Sequence, residues 1–248
     1  MRRTILITSV SWTLFACTNG KTKQTAFSKA TKDTTKTMSN FEYSLKTAHP
    51  AAKALMTEEF YWSPIEESGP FGSDDGWEAA QGFREWRSTN KTQSPLTFLK
   101  GLMAQWQYPY FDWNEMDTQK IKEFITSKAN PDEASIQQQM QLLREALKNS
   151  ADSSMRKMDD AQLRQVVLSS SQQVGGTFLL AQDNAIIGTG FAQLALEGKV
   201  DKDLKALTIT AINRQLLPVL INRYDDKYRE RRKEQLTKML STITKANS

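Results

Sequence analysis

The sequence predicts an all-α protein: a single-domain orthogonal bundle of about eight to ten helices over residues 41–248, behind a signal peptide (1–16) and a disordered tether (17–40). Three observations carry this. Apolar residues recur at helical spacing in four separate stretches. The period-2 alternation of half-buried strands is nearly absent, and only Gly175–Leu180 (G-G-T-F-L-L) reads as a run that could be extended. Helix-start residues stand where such patterns begin, as in Ser94-Pro95 and Pro131-Asp132-Glu133.

The chain opens with Arg2 and Arg3, then an apolar run from Ile5 to Ala16. That run is shorter than the roughly 20 residues a membrane-spanning helix needs. It ends in Leu14-Phe15-Ala16-Cys17, which resembles the lipobox of bacterial lipoproteins. The resemblance implies cleavage before Cys17, acylation of Cys17, export, and a lipid anchor in a bacterial membrane of the cell envelope. Several acyl chains anchor durably where one binds only marginally. Thr18–Asn40 is rich in Thr and Lys and poor in large apolar residues. Such a segment cannot offset its ordering entropy, so it reads as a solvated tether.

The helical stripes follow. Leu96, Leu99, Met103 and Trp106 form one; Ile136, Met140, Leu143 and Leu147 form the next. Leu204, Leu207, Ala211 and Ile212 give a third, and Leu236, Met239, Leu240 and Ile243 a fourth. Shorter helices are expected at Pro50–Glu59, Ser73–Arg87, Asp117–Ser127, Ser154–Ser169 and Asp183–Glu197. Asn149–Ser154 reads as an exposed loop. Residues 60–113 hold thirteen of the 23 aromatic residues, whereas 183–221 are strongly aliphatic. One domain results if the aromatic segment packs on the aliphatic helices and the Gln/Ser-rich middle lies at the periphery.

Composition excludes several chemistries. One Cys rules out a disulfide framework, and one His (His49) rules out sites needing two imidazoles. His49 reads as a surface or capping residue before Pro50. There is no G-x-S-x-G, Walker A or G-x-G-x-x-G motif, and no cofactor is expected. Gly188-Thr189-Gly190 sits inside a helical pattern and reads as a close helix contact. The formal charge is +5. Removing the two leader arginines and the tether's five lysines and one aspartate leaves −1 over residues 41–248. The basic character therefore belongs to leader and tether, and no nucleic-acid partner is expected. In Arg223–Lys238, cations alternate with anions at three- and four-residue spacing, as on a solvated, ion-paired helix face.

The unusual passage runs from Thr57 to Glu85, with eight carboxylates and one cation. Ser63-Pro64, Gly69-Pro70 and Gly72 make its backbone turn repeatedly. Ser73 reads as an N-cap, which puts Asp74 and Asp75 in a first helical turn where negative charge is favoured. That accounts for the two aspartates without chemistry. The functional alternative is that Glu66, Glu67, Asp74 and Asp75 converge on a cleft walled by Trp62 and Trp77. Such a cleft would suit a polar ligand, a divalent cation on oxygen ligands, or a carboxylate pair for glycoside hydrolysis. The aromatic crowding reads first as core packing, with a sugar- or peptide-binding platform as the alternative.

His49–Ala79, Ser94–Leu99, Asp112–Asp117, Asp183–Asp201 and Ile212–Pro218 together resemble the YfeS-like family of uncharacterised bacterial proteins, most specifically in P-F-G-S-D-D-G (Pro70–Gly76). The resemblance implies a bacterial single-domain protein and carries over no catalytic residues. The sequence thus leads to a membrane-anchored binding or interaction module with an envelope protein or glycan as partner. Hydrolysis of envelope polysaccharide and cation binding are the alternatives.

Overall fold

The computed structural model describes residues 42–106, 108–127, 133–148, 156–170 and 174–248. The leader, Cys17, the tether and the Asn149–Ser154 loop lie outside these residues. The described residues form a compact helical bundle. Its described helices are α1 (Pro50–Leu55), α2 (Asp74–Thr89), α3 (Pro95–Trp106), α4 (Thr118–Ile125), α5 (Glu133–Leu147), α6 (Asp160–Ser170), α7 (Val174–Glu197), α8 (Lys202–Gln215), α9 (Pro218–Ile221) and α10 (Asp226–Lys245). No strand occurs among the described residues.

Four of the described helix starts carry a side-chain cap. Ser73 Oγ accepts from Gly76 N–H at 3.1 Å, Asp117 Oδ1 from Lys120 N–H at 2.9 Å, and Asp225 Oδ1 from Tyr228 N–H at 3.1 Å. His49 also caps, its Nδ1 accepting from Ala51 N–H at 3.2 Å. The helix expected over Pro50–Glu59 stops at Leu55 instead. Met56 leaves the helical region and is fully buried, and the chain re-enters a single 3₁₀ turn at Glu59–Tyr61. Burial of Met56 and Tyr61 outweighs continuation of the local pattern.

The central element is α7. Gly175-Gly176, read from sequence as a possible extended run, is its first turn. Both glycines serve close approaches: a Cβ on Gly175 would collide with the Phe124 carbonyl at the end of α4, and one on Gly176 with the Arg223 guanidinium. Ala185, Ile186, Phe191, Ala192 and Leu194 are completely buried, so α7 is buried around its circumference rather than on one stripe. Gly198, at φ +72°, ends the helix, and the His49 ring fills the space a Cβ would need there.

The main core joins the first and last of the described residues, from Tyr43 to Ala246. Phe71, Phe83 and Leu99 pack with Phe191, Leu204 and Ile243, all fully buried. Tyr43 stacks on Phe71 at 4.4 Å and donates its hydroxyl to Ala80 O at 2.6 Å. The aromatic segment therefore packs on the aliphatic helices, as its composition implies. A second cluster sets Phe111 against Ile121 and Ile125 of α4 and Leu179 of α7. α5 and α6 form a separate cluster from Ile136, Met140, Leu163 and Val167. Glu133 accepts two hydrogen bonds from Arg164 between those two helices, at 2.6 and 2.8 Å.

Candidate functional site

The acidic loop is held in place by short-range backbone contacts. Gly69 N–H donates to Glu66 O at 2.7 Å, and the Glu66 peptide occupies the space a side chain on Gly72 would take. Ser68 donates to Tyr228 Oη at 3.2 Å, while Tyr61 Oη and Thr242 Oγ1 share a hydrogen bond at 2.8 Å. Both contacts tie the loop to α10. The six residues singled out in the sequence then fall into three settings. Glu66 forms an ion pair with Arg231 of α10. With the exposed Glu67 it lines an open cavity of about 560 Å³ shared with Phe60, Tyr228 and Gln235. Trp62 and Trp77 are half-buried against the main core rather than on that cavity's wall. Trp62 Nε1 donates to Met56 O at 2.9 Å, and Trp77 meets Tyr43 edge-on at 6.4 Å. Asp74 and Asp75 open α2, and Asp75 accepts a hydrogen bond from Tyr108. Glu66 and Asp75 thus engage different elements, α10 and the chain after α3.

Asp75 is half-buried, and that burial is the main reason its carboxyl is pushed up from 3.8 to about 6. The neighbouring Asp74 and Glu78 charges add to the rise, while the Tyr108 bond and a backbone N–H oppose it. Glu78 itself accepts from Trp106 Nε1 at 3.1 Å. Folding therefore takes up a proton at Asp75 between about pH 4 and pH 6, and stability falls as pH rises through that window. Asp75→Asn is expected to stabilise the protein above pH 6 by roughly 1–2 kcal/mol. Urea unfolding at pH 5 and pH 8 checks this: the gain must be larger at pH 8, and an equal gain at both values refutes the assignment.

A larger groove, about 670 Å³, runs between α3, the segment 108–114 and α8. Its walls include Leu96, Met103, Tyr108, Tyr110 and Trp113, with Lys100, Asp112, Asn114, Gln182 and Asp203 as polar groups. Tyr110 is 85% exposed, a large ring held in water on the groove wall. Tyr108 is wedged between Trp106 at 5.2 Å and Phe178 of α7 at 4.9 Å. Asp112 Oδ1 accepts from Asn114 N–H at 2.9 Å and closes a local turn.

The 108–117 segment has no regular structure of its own before α4, yet its place is set by one buried side chain. Arg214 of α8 is fully buried. Its Nη1 donates to Trp113 O and Glu115 O, both at 3.0 Å, and its Nε reaches Asp183 of α7 at 3.1 and 3.2 Å. Its Nη2 pairs with Asp183 as well, and its guanidinium lies 5.5 Å from the Phe111 ring centre. Burial pushes Asp183 up to about 6, with Arg214 pulling against it. Neither residue stood out as a motif. The available signal was a charge in an apolar setting: Asp183 among L-L-A-Q-D-N-A-I-I, and Arg214 on the Leu207–Ala211 stripe.

No helix among the described residues is long and apolar enough to cross a membrane. No group of three or more His, Cys, Asp or Glu among the described residues is arranged to hold a metal ion. No family model, curated protein or solved structure matches the chain.

Proposed function

We propose that this chain is a lipid-anchored binding module of a bacterial cell envelope that holds a glycan in the groove between α3, residues 108–114 and α8. The observation that carries this reading is Tyr110, an aromatic ring kept in solvent beside Tyr108 and Trp113 in a groove of ligand size. Aromatic faces offer apolar area to the C–H faces of a sugar ring, at little cost in side-chain freedom. Asp112, Asn114 and Gln182 offer acceptors and donors for hydroxyl groups. The groove's charges, Lys100 against Asp112 and Asp203, are mixed in sign, which suits a ligand without strong net charge. The resemblance of Leu14–Cys17 to a lipobox supports a location in the envelope, where such glycans occur.

The test is co-sedimentation of the protein with purified cell-wall polysaccharide. Tyr110→Ala is expected to weaken binding about tenfold or more, the size typical of losing a central aromatic contact. Its melting temperature should stay unchanged, because the ring is exposed. In cells, Cys17→Ser should move the protein from the membrane to the soluble fraction. Polysaccharide binding that is absent, or indifferent to Tyr110, overturns the glycan reading; membrane association that survives Cys17→Ser overturns the anchor.

A further inference from the structure

The groove that carries Tyr110 draws its walls from α3, residues 108–114 and α8, and α7 reaches it through a single residue, Gln182. Gln182 is only 3% exposed, the most buried polar side chain of the groove. Its Nε2 donates to Pro109 O at 3.4 Å. A backbone carbonyl only accepts, so Pro109 turns the amide nitrogen of Gln182 toward itself. The Oε1 side is left without a donor among the described residues. That oxygen is not sealed into the core, so a molecule in the groove can reach it.

The other polar groups of the groove are of a different kind. Lys100, Asp112, Asn114 and Asp203 are exposed and exchange partners with water. α3 and α8 add aliphatic surface from Leu96, Met103, Ala206 and Leu207. A ligand matched to this groove must offer one donor to a largely desolvated acceptor and an apolar group to the aliphatic walls. A sugar built of hydroxyls supplies the donor, but its only apolar matter is the C–H face that the aromatic rings take. An acetamido group supplies both, an N–H and a methyl on one flat, uncharged unit. Its carbonyl can also accept from the Lys100 ammonium.

We propose that the glycan held in this groove contains N-acetylated amino sugars, whose acetamido N–H donates to Gln182 Oε1 while the acetyl methyl packs on the Leu96, Met103 and Leu207 walls. This rests on the glycan reading of the groove and adds the substituent that the groove selects. A nearly buried acceptor discriminates, because a ligand that displaces water without bringing a donor leaves the acceptor unpaired. Charge agrees, since an acetamido group is neutral and the groove's charges are mixed in sign.

The experiment is titration calorimetry of the full chain with three tetrasaccharides of one β-linked backbone, built from N-acetylglucosamine, glucosamine or glucose units. They differ only in the substituent beside the anomeric carbon: acetamido, amine or hydroxyl. The acetamido tetramer is expected to bind about tenfold more tightly than the other two, the size of one added hydrogen bond and one buried methyl. Gln182→Met, close in volume and without the acceptor, should erase most of that preference. Tyr110→Ala should weaken all three tetramers and keep their ratio. If Gln182→Met fails to fold, the ratio measured on the unaltered chain still decides. Equal binding of the acetamido and hydroxyl tetramers, tightest binding of the amine, a preference that survives Gln182→Met, or no binding of any tetramer overturns the proposal. Co-sedimentation with cell-wall polysaccharide judges the glycan reading apart: that reading stands where the polysaccharide binds and only the acetamido preference is missing.

Discussion

Arg214→Ala is expected to lower the stability of the folded protein by about 3–5 kcal/mol, the cost of removing one partner of a buried, hydrogen-bonded ion pair. The reason is what remains. Asp183 is fully buried, and without Arg214 its carboxylate has lost the guanidinium that holds it on two sides. The Trp113 and Glu115 carbonyls lose their donors at the same time. The loss should be larger at pH 8 than at pH 5. A lone buried Asp183 escapes part of the penalty by binding a proton, and burial already pushes its carboxyl up to about 6. Arg214→Lys should recover little, because one ammonium cannot serve a carboxylate and two divergent carbonyls with a planar fork. Removing both charges, as Arg214→Met with Asp183→Leu, should cost less than Arg214→Ala alone. Urea unfolding followed by tryptophan fluorescence measures all of these. A single-mutant loss below about 1 kcal/mol contradicts the buried pair. The groove should suffer beyond the stability effect, since Arg214 fixes the segment that carries Tyr110 and Trp113.

The second large effect is expected at the crossing of α2 and α7. A Cβ on Gly188 would collide with the Gly76 carbonyl oxygen and lie 2.9 Å from Gly76 Cα. A Cβ on Gly76 would lie 2.8 Å from Pro70 O and 3.4 Å from Asn184 O. These obstacles are backbone atoms, so relief requires one helix to move off the other rather than a side chain to turn. Gly188→Ala should therefore destabilise by about 3 kcal/mol, at the upper end of overpacking effects, and Gly188→Val by more. Gly76→Ala should add less than its separate cost to Gly188→Ala, because once the helices are spread both contacts relax together. Gly101 of α3 is the control, with nothing within 4 Å of its Cβ position. Gly101→Ala should stabilise by about 0.5–1 kcal/mol through helix propensity alone. A neutral Gly188→Ala in thermal unfolding would mean that α2 and α7 do not meet at this distance.

The same glycines show how far sequence reading reaches. Gly188-Thr189-Gly190 reads as a close helix contact rather than a phosphate loop, and it is one on two sides. Gly188 meets Gly76 of α2, and Gly190 meets Thr208 of α8. Helices with one apolar stripe are legible because periodicity records which face is buried. The cap at Ser73 and the start at Asp117 are legible because a cap satisfies local donors, whereas the cap at Asp225 is hidden in a run that reads as ion-paired. The first half of α7 is not legible, since a helix buried on every side has no stripe to detect. Its glycine pair looks like a break until Phe124 and Arg223 are found against it. The candidate site divides in the same way. The clustering of Trp106, Tyr108, Tyr110 and Trp113 is visible in the chain, but which ring stays in water is not. The carboxylates of 66–75 look like one group in sequence, yet Glu66 pairs with Arg231 and Asp75 with Tyr108.

An all-α fold, the placing of most of the described helices and a near-neutral residue 41–248 stretch behind a basic first 40 residues are legible in the chain alone. Those properties depend on local periodicity, capping and charge, which act over a few residues. Assembly of the bundle is what pairs Arg214 with Asp183, sets Gly76 against Gly188, leaves Tyr110 exposed on a groove and buries Arg232 against Gln215 and Tyr224. Each of these depends on residues 17 or more positions apart being brought together, as Gln215 and Arg232 are. Burial turns an ordinary charge or glycine into a decisive one, and burial is a property of the assembled bundle.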